Sequence, residues 1–458
     1  MEINVMDVVI VGAGPAGLAA AIQARKEGLS VALLDEQPAV GGQIYRSVES
    51  AGAGRRTVLG DDYAAGAALA EAFARSGADH IAGASVWNIG RDLRVNYLRQ
   101  GASMALQARN IVLATGAMER PFPVPGWTLP GVMGAGAAQI LYKTAGAVPR
   151  EPVVLAGCGP LLYLLADQYL RAGVTLKAVV HCTQHGDYMR SARHLSSAFK
   201  GWRDLSKGLR MLANLRHHRI PVYAGAQDFS IVGSARAEAF CFTHDNREHR
   251  IDTPLVLLHQ GVVPNTQFSW ALRAKHSWNA RQLCWVPETD AYGQIEDSGI
   301  YIAGDSRGIV GAKASACQGR IAAIAIAAKR HGVSMTDYRL KEAEIRKEMR
   351  RQLHIRPFLD ALYRPPDSHR IPEDDSVVVC RCEEITAGQI KQYAALGCVG
   401  PNQTKAFGRC GMGPCQGRLC GLTVSELIAS VRGVSPETVG YYRIRPPIKP
   451  VTLGELSA

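Results

Sequence analysis

A strand, a glycine turn, a helix and a second strand follow one another twice in this chain, and this repeated unit constrains the fold most. The first copy has strand 7–11, turn 12–17, a helix to Glu27 and strand 30–34; the second has strand 152–156, turn 157–160, helix 161–172 and strand 174–180. Gly28 follows Gly12 at the same interval at which Gly173 follows Gly157. Such units are typical of dinucleotide-binding folds. The sequence therefore predicts an α/β chain with two Rossmann-like dinucleotide-binding domains.

The first glycine turn reads Gly12-Ala13-Gly14-Pro15-Ala16-Gly17. In this pattern the first glycine permits a tight turn, the second lets a pyrophosphate approach the backbone, and the third lets the helix pack on the strand. The N–H groups of the first helical turn, which includes Pro15 and Ala16, point with the helix dipole towards the phosphates. The turn predicts a dinucleotide site.

Two acidic residues end the second strand of this unit. Asp35 lies about 20 residues after the turn, where an acid binds ribose hydroxyls, and Glu36 is the alternative. These residues complete the predicted nucleotide site.

The second glycine turn departs from this pattern. Gly157 and Gly159 are its candidate binding residues, but Leu162 stands where the third glycine belongs and Val180 where the acid belongs. An NAD site needs that acid, and an NADP site a nearby arginine. The second fold is thus predicted to be degenerate, holding another nucleotide or none, and NAD(P)H is not expected to be the main electron source.

Three further segments indicate which dinucleotide the first site takes: Gly41-Gly42-Gln43, Ala114-Thr115-Gly116 and Gly304-Asp305. With the first glycine turn, they resemble the signatures of the two-dinucleotide-binding flavoprotein superfamily over the first 330 residues. The resemblance implies FAD, with Asp305 at the flavin ribityl chain. It adds as binding residues Gly42, Gln43, Thr115, Gly116 and Gly304.

Cysteines are concentrated near the end of the chain. Of 11 cysteines, five lie between Cys380 and Cys415, and Cys420 follows. The pairs Cys380/Cys382 and Cys410/Cys415 could supply four thiolates to a [2Fe–2S] cluster. Structural zinc is the alternative, but its paired ligands are usually two to four residues apart.

This cysteine module resembles the bacterioferritin-associated ferredoxin-like [2Fe–2S] domain, which opens with C-x-C. Many members of that family close with C-x-x-C, whereas this chain has C-x4-C, so Cys420 and Cys398 are alternative fourth ligands. No C-x-x-C pair occurs in the chain, which argues against a disulfide reductase.

The predicted domains follow from these motifs. Residues 1–125 and 286–335 form the FAD domain, 126–285 the second dinucleotide fold, 336–376 a helical linker, 377–432 a small helical [2Fe–2S] domain, and 433–458 an extended tail. Pro446, Pro447 and Pro450 prevent a continuous helix in the tail.

The order of parts resembles the alpha subunits of bacterial multisubunit amine and amino-acid dehydrogenases, which include opine oxidases, proline and hydroxyproline dehydrogenases and the cyanide-forming glycine dehydrogenase. The matching segments are 41–46, 116–121, 380–383, 411–418 and 445–447. The resemblance implies an electron-transfer subunit whose electrons come from a beta subunit resembling D-amino-acid oxidases. The resemblance also implies a downstream electron acceptor, and it suggests a small gamma subunit and FMN at a subunit interface. No catalytic acid–base pair is evident in this chain.

Two other functions stay open at this point. One is a self-sufficient NAD(P)H-dependent ferredoxin or acceptor reductase, and the other a non-catalytic scaffold that binds FAD. Although the net charge is +12, the basic residues are scattered and no nucleic-acid-binding motif accompanies them. The sequence shows no apolar run of the roughly 20 residues that span a bilayer and no secretory signal. A cytoplasmic protein is expected.

Overall fold

The computed structural model describes residues 5–458 of the chain. Its strands are β1 (Met6–Val11), β2 (Val31–Asp35), β3 (Asp79–Ala82), β4 (Ser85–Ile89), β5 (Arg94–Arg99), β6 (Ala102–Leu113), β7 (Ala117–Glu119), β8 (Val132–Gly134), β9 (Val153–Cys158), β10 (Leu176–His181), β11 (Val222–Ala224), β12 (Gln227–Val232), β13 (Ala239–His244), β14 (Arg247–Asp252), β15 (Leu255–Gln260), β16 (Val262–Pro264), β17 (His276–Asn279), β18 (Cys284–Pro287), β19 (Ile300–Ile302), β20 (Val378–Cys380) and β21 (Ile385–Thr386).

Helices connect and cover these strands. They are α1 (Pro15–Lys26), α2 (Ala53–Leu59), α3 (Asp61–Ala64), α4 (Gly66–Ala74), α5 (Ala135–Ala145), α6 (Pro160–Arg171), α7 (His185–Ala192), α8 (Leu195–Lys200), α9 (Trp202–His217), α10 (Gln267–Ala271), α11 (Ala312–His331), α12 (Arg339–Leu353), α13 (Arg356–Leu362), α14 (Asp367–Arg370), α15 (Ala387–Ala395), α16 (Pro401–Gly408), α17 (Gly421–Arg432), α18 (Pro436–Val439) and α19 (Leu453–Ser457). Short 3₁₀ turns lie at Gly304–Ser306 and Met335–Tyr338.

The first sheet contains the first predicted βαβ unit. Strands β3, β2, β1, β6 and β19 lie side by side and parallel. The long strand β6 pairs through its second half with β1 and through its first half, antiparallel, with β5, which in turn pairs with β4. The unbroken apolar runs of β1 and β2 suit strands that are covered on both faces. The predicted strand–turn–helix–strand order of residues 7–34 is confirmed.

The second sheet is all parallel, in the order β11-β10-β9-β15-β8. This sheet confirms the second predicted strand–turn–helix–strand unit, but its glycine turn begins later in the chain than predicted. Gly157 and Cys158 were expected in the turn, yet they extend β9, because Gly157 lies in register with His181 of β10 and His259 of β15. His181 likewise ends β10 instead of following it.

Smaller sheets join the two domains and extend them. Strands β7 and β16 pair where the chain passes between the first and second sheets. Strands β12, β13 and β14 form an antiparallel sheet, and β17 pairs with β18 in a hairpin.

The C-terminal module consists of α15, α16 and α17 with the short β20–β21 pair. One continuous hydrophobic core joins its buried residues to those of the first sheet. The tail beyond it differs from a simple extended arm, because it contains α18 and α19 and buries Tyr442, Ile444 and Ile448. The Ile448 N–H donates to the Trp87 carbonyl at 3.0 Å, which attaches the tail to β4.

The charged stretch after α11 packs on the first domain. Ile345 of α12 is buried in the core that contains α1 and α11. Lys341 pairs with Glu27 at 3.1 Å, and Arg320 pairs with Glu348 at 3.0 Å. Helix α12 therefore covers the helical layer of the first domain.

Helices α1 and α11 approach each other closely at Gly319. A Cβ at this position would overlap the carbonyl oxygen of Ala16 and lie 3.1 Å from the Ala20 nitrogen. Gly319→Ala should destabilise the chain by roughly 1–3 kcal/mol through overpacking. Measured by calorimetry, the unfolding midpoint should fall by several degrees.

Gly208 of α9 is the matched control, since a Cβ there would have no heavy atom within 4 Å. Gly208→Ala should leave the midpoint unchanged or raise it, because alanine favours a helix by about 1 kcal/mol over glycine. Equal midpoint changes for the two variants would contradict the close helix contact.

Candidate functional site

The first glycine turn and Asp35 form one hydrogen-bonded unit. The Ala13 N–H donates to Asp35 Oδ2 at 2.6 Å, and the Gln37 N–H donates to Oδ1 at 2.8 Å. These contacts hold the carboxylate at the turn, at the carboxyl end of β2. Glu36, the alternative acid, is exposed and forms an ion pair with Lys449 of the tail.

Close backbone contacts explain the glycines. A Cβ at Gly12 would overlap the Ala114 carbonyl oxygen, and one at Gly17 would overlap the Gly12 carbonyl oxygen. Gly14 lies against Gly42, so the glycine turn and the later Gly-Gly-Gln segment meet. A turn whose backbone is not covered by Cβ atoms suits the close approach of a pyrophosphate.

The other predicted flavin residues border the same edge of the sheet. Gly304 approaches Ala16 of α1 so closely that a Cβ there would lie 2.8 Å from the Ala16 Cβ. Asp305 Oδ1 accepts from the N–H groups of Val310 at 2.8 Å and Gly311 at 2.9 Å, just before α11.

Thr115 and Gly116 follow β6, and both form hydrogen bonds with Asn265. The Thr115 hydroxyl donates to the Asn265 carbonyl at 3.1 Å, and the Asn265 N–H donates to the Gly116 carbonyl at 2.9 Å. All three predicted signatures therefore follow elements that meet at the first glycine turn. This arrangement fits an extended dinucleotide such as FAD.

Two residues that the sequence analysis did not identify hold Gln43. Lys143 Nζ donates to the Gln43 carbonyl at 3.1 Å, and Arg46 donates to Gln43 Oε1 at 3.0 Å. Burial lowers the pKa of Lys143 to about 7. Arg46 ends the matching segment 41–46 and could have been identified from the sequence, but Lys143 belongs to α5, about 100 residues further along the chain.

The second crevice is bordered by the carboxyl ends of β9 and β15. A Cβ at Gly157 would overlap the His259 carbonyl oxygen, and one at Gly159 would lie 3.1 Å from the His259 ring. Leu162, at the position of the missing third glycine, is completely buried in the core of this domain. Its side chain provides packing where a glycine would have permitted a closer helix–strand contact.

The segment of residues 363–370 crosses this crevice, and we call it the strap. The Cys158 thiol donates to the Tyr363 carbonyl at 3.7 Å, and the Tyr163 and Tyr363 rings lie 6.5 Å apart. Since Cys158 sits in the Gly157–Gly159 segment, the strap contacts the part of the fold that would meet a pyrophosphate.

His369 anchors the far end of the strap. Its ring lies 5.0 Å from that of Phe122 and 4.6 Å from that of Phe229, and its carbonyl accepts from Gln260 Nε2 at 3.2 Å. Burial lowers the pKa of His369 to about 4, so the ring is neutral at physiological pH. The strap thus packs against the carboxyl ends of β9 and β15.

A polar pair stands beside this edge. His259 Nδ1 and Glu119 Oε1 are 2.7 Å apart, and Glu119 also accepts from the Gly136 N–H at 3.0 Å. The buried Arg120 donates to the Gln282 carbonyl at 2.7 Å. Both residues of the Glu119-Arg120 segment are thus engaged within the protein.

Three cysteines of the module form one group of neighbouring sulfurs. The sulfurs of Cys380, Cys410 and Cys420 lie within 4.8 Å of one another and are buried. Burial and the neighbouring Cys415 raise the pKa of the Cys382 thiol, and these two cysteines lie outside the three-sulfur group. The structure thus brings Cys380 and Cys410, one member of each predicted pair, into one sulfur group with Cys420, and leaves Cys382 and Cys415 outside that group.

The chemistry of this donor set suits iron and sulfur. Hydrogen bonds from Cys410 and Cys420 hold the pKa of Cys380 well below its usual range, whereas the contact with Cys380 and burial raise the pKa of Cys410 and Cys420, so the group favours one thiolate. Cys398, the other alternative ligand, is buried in the hydrophobic core and does not belong to the three-sulfur group. An all-thiolate set is the usual ligation of a [2Fe–2S] cluster.

A cavity of about 310 Å³ lies beside the cysteine loop. It carries the cationic side chains Lys405, Arg443 and Arg445, with Gly411 and Gln416 of the loop in its wall. Within residues 5–458, none of these three cations has a carboxylate oxygen within 4.0 Å. The cavity is therefore suited to an anion.

Among the described residues, every helix is too short or too polar to cross a bilayer.

Comparison with protein families divides the chain in two. Residues 6–332 match the family described as pyridine nucleotide-disulphide oxidoreductase, and residues 376–458 match the sarcosine oxidase A3 domain.

Similar proteins span nearly the whole chain. An opine oxidase subunit of Rhizobium meliloti is 48% identical over 98% of this chain and 87% of its own length. The hydrogen cyanide synthase subunit HcnB of Pseudomonas protegens is 30% identical over 97% of this chain and 96% of its own.

Among solved structures, L-proline dehydrogenase from P. horikoshii has the same fold, with a TM-score of 0.73 and 20% identity over 99% of this chain and 80% of that one. These matches agree with the two parallel sheets and the C-terminal module. The chain is an oxidoreductase and belongs to the pyridine nucleotide-disulphide oxidoreductase family, in the group that includes the opine oxidase subunit of Rhizobium meliloti.

Proposed function

We propose that this chain is the FAD- and [2Fe–2S]-containing electron-transfer subunit of a heteromeric dehydrogenase that oxidises an amino acid, an opine or a related secondary amine. The observation that carries the proposal is the group of cysteine thiols on a module that shares its core with the flavin domain. The names of relatives, which are subunits of opine oxidase and hydrogen cyanide synthase, support it.

When bound, FAD would exchange electrons in pairs or singly and a [2Fe–2S] cluster would exchange them singly, so together they would connect two-electron and one-electron transfer. For FAD, Gly14 would let the pyrophosphate approach the turn that Gly12 and Gly17 make possible. Asp35 would bind the ribose, and Asp305 would hold the ribityl chain. The backbone amides near Val310 fix Asp305 for this role.

The cluster ligands would be Cys380, Cys382, Cys410 and Cys415. Three of these cysteines are at least half-buried and Cys382 is exposed, so the sulfur group reaches the surface at one corner. Gly413 packs so closely on Cys382 that a Cβ there would overlap its side chain. The glycine loop thus folds directly onto the ligands.

The contacts of the strap argue against a self-sufficient NAD(P)H-dependent reductase. The strap contacts the protein at Cys158 and Gln260, on the two strands that border the second crevice. A nicotinamide cofactor would have to displace these contacts and would find neither a third glycine nor an acid at Val180. Electrons would therefore enter from a partner flavoprotein and not from NAD(P)H.

The cationic cavity supports an FMN at a subunit interface. Lys405, Arg443 and Arg445 could bind its phosphate, because cations without an internal carboxylate partner are available to an external anion. The same proposal includes the beta subunit resembling D-amino-acid oxidases, the downstream acceptor and a small gamma subunit.

We also place the protein in the cytoplasm. All 11 cysteines are free thiols, as expected for a reducing compartment.

The chain purified anaerobically should keep its flavin absorbance when NADH or NADPH is added. The strap and the missing acid leave no productive nicotinamide site, so the visible flavin band is expected to persist. Dithionite is the control, because it must bleach the same band and so show that the flavin can be reduced. Rapid bleaching by NADPH would favour the reductase.

A second experiment adds amine substrates to the chain after it has been co-expressed with its flavoprotein partner. Octopine, proline or hydroxyproline should then bleach the flavin bands of the complex, whereas the isolated chain should not respond. Bleaching of the flavin of the isolated chain by an amine would contradict the proposal that the partner subunit oxidises the amine.

Cys382→Ser should reduce the iron and acid-labile sulfide content of the purified chain to a small fraction of the wild-type value, since one of four thiolate ligands is lost. Cys398→Ser is the matched control and should retain both, because this cysteine lies in the hydrophobic core. Cys420→Ser tests the alternative fourth ligand, since the Cys420 sulfur lies beside those of Cys380 and Cys410; if Cys415 is the ligand, this variant should keep the cluster signal in electron paramagnetic resonance. Loss of the cluster in Cys420→Ser but not in Cys382→Ser would overturn the assigned ligand set.

A further inference from the structure

A tyrosine of the tail contacts one of the cysteine sulfurs. Tyr442 is completely buried, and its hydroxyl donates to Cys410 Sγ at 3.3 Å. We propose that Tyr442 is a positioning residue whose hydroxyl raises the reduction potential of the cluster held by Cys410. The inference rests on the proposed function, because it needs a cluster at these cysteines.

The hydrogen of this phenol is available to the sulfur. The Thr404 hydroxyl lies 3.4 Å from the Tyr442 hydroxyl. It donates its own hydrogen to the Pro401 carbonyl at 2.7 Å. Thr404 therefore competes only as a long, neutral acceptor. A thiolate is negatively charged, and hydrogen bonds to charged acceptors are about twice as strong as those between neutral groups.

Two glycines of the cysteine loop hold the ring in place. Gly411 has φ +83° and Gly417 has φ +77°, and a Cβ at either position would overlap the Tyr442 ring. These glycines lie immediately after Cys410 and two residues after Cys415. The loop that carries the second pair of ligands is thus folded around the tyrosine ring.

Further contacts fix the tail on both sides of Tyr442. The Arg443 N–H donates to Asn402 Oδ1 at 2.7 Å, and the Ser425 hydroxyl donates to the Gly440 carbonyl at 2.8 Å. Lys405 Nζ lies 5.1 Å from the centre of the Tyr442 ring. The phenol therefore cannot swing away without breaking several interactions, which makes its hydrogen bond a permanent part of the sulfur environment.

A hydrogen bond to a cluster sulfur affects the two redox states unequally. The reduced cluster carries one more negative charge than the oxidised cluster, so a donor stabilises it more. Hydrogen bonds to the sulfurs are among the factors that set cluster potentials. Removing the hydroxyl should make the cluster harder to reduce without removing any ligand.

The test is a redox titration of the full chain carrying Tyr442→Phe, followed by electron paramagnetic resonance. At a potential where the wild-type cluster is half reduced, we expect the reduced-to-oxidised ratio to fall at least threefold, which corresponds to a midpoint about 28 mV lower, given 59 mV per tenfold change for one electron. Tyr441→Phe is the matched control, because the Tyr441 hydroxyl donates at 3.3 Å to the Gly417 carbonyl and not to a sulfur. Its midpoint should equal that of the wild type.

Site-specific 3-fluorotyrosine at position 442 provides a second measurement that preserves the shape of the side chain. Its more acidic hydroxyl is a stronger donor, so the midpoint should move in the positive direction. Unchanged midpoints in Tyr442→Phe and in the fluorinated protein, with normal iron content, would overturn the inference. Absence of iron and sulfide from the wild-type chain would instead overturn the proposed cluster itself.

Discussion

The strap, residues 363–370, is anchored at both sides, and this anchoring holds the C-terminal module and the second domain together. Arg370 forms a buried ion pair with Glu426 of α17, while His369 of the same strap lies between Phe122 and Phe229 of the second domain. Buried ion pairs are costly to break, at about 3–5 kcal/mol, since one charge is left without compensation. A single short segment therefore ties the module to the second sheet and packs against the carboxyl ends of β9 and β15.

This arrangement changes what the second dinucleotide fold does. The parallel strands and the glycine turn are retained, but the crevice at their carboxyl ends packs against protein. Under the proposed function, this fold is a support between the flavin domain and the strap and not a nicotinamide site. Such reuse agrees with the rule that a fold does not specify a function, which resides in individual sites.

The first sheet and its glycine turn were predictable because their signals are local. An apolar strand, three glycines and an acid lie within about thirty residues, and the close backbone contacts of Gly12 and Gly17 leave no room for a side chain. The positions of the strand ends were less predictable. Gly157 belongs to β9 because β10 and β15 pair with it, and that pairing is not encoded in the turn itself.

The two dinucleotide folds could be predicted from the amino-acid sequence, because a strand, a glycine turn and a helix are local patterns, and the flavin signatures followed from a family resemblance. The tertiary structure was needed to show that Cys420 joins Cys380 and Cys410, that Lys143 holds Gln43, and that Tyr442 reaches a sulfur. These contacts connect elements far apart in the chain. Packing and burial bring these partners together, so their contacts cannot be predicted from the spacing of residues in the sequence.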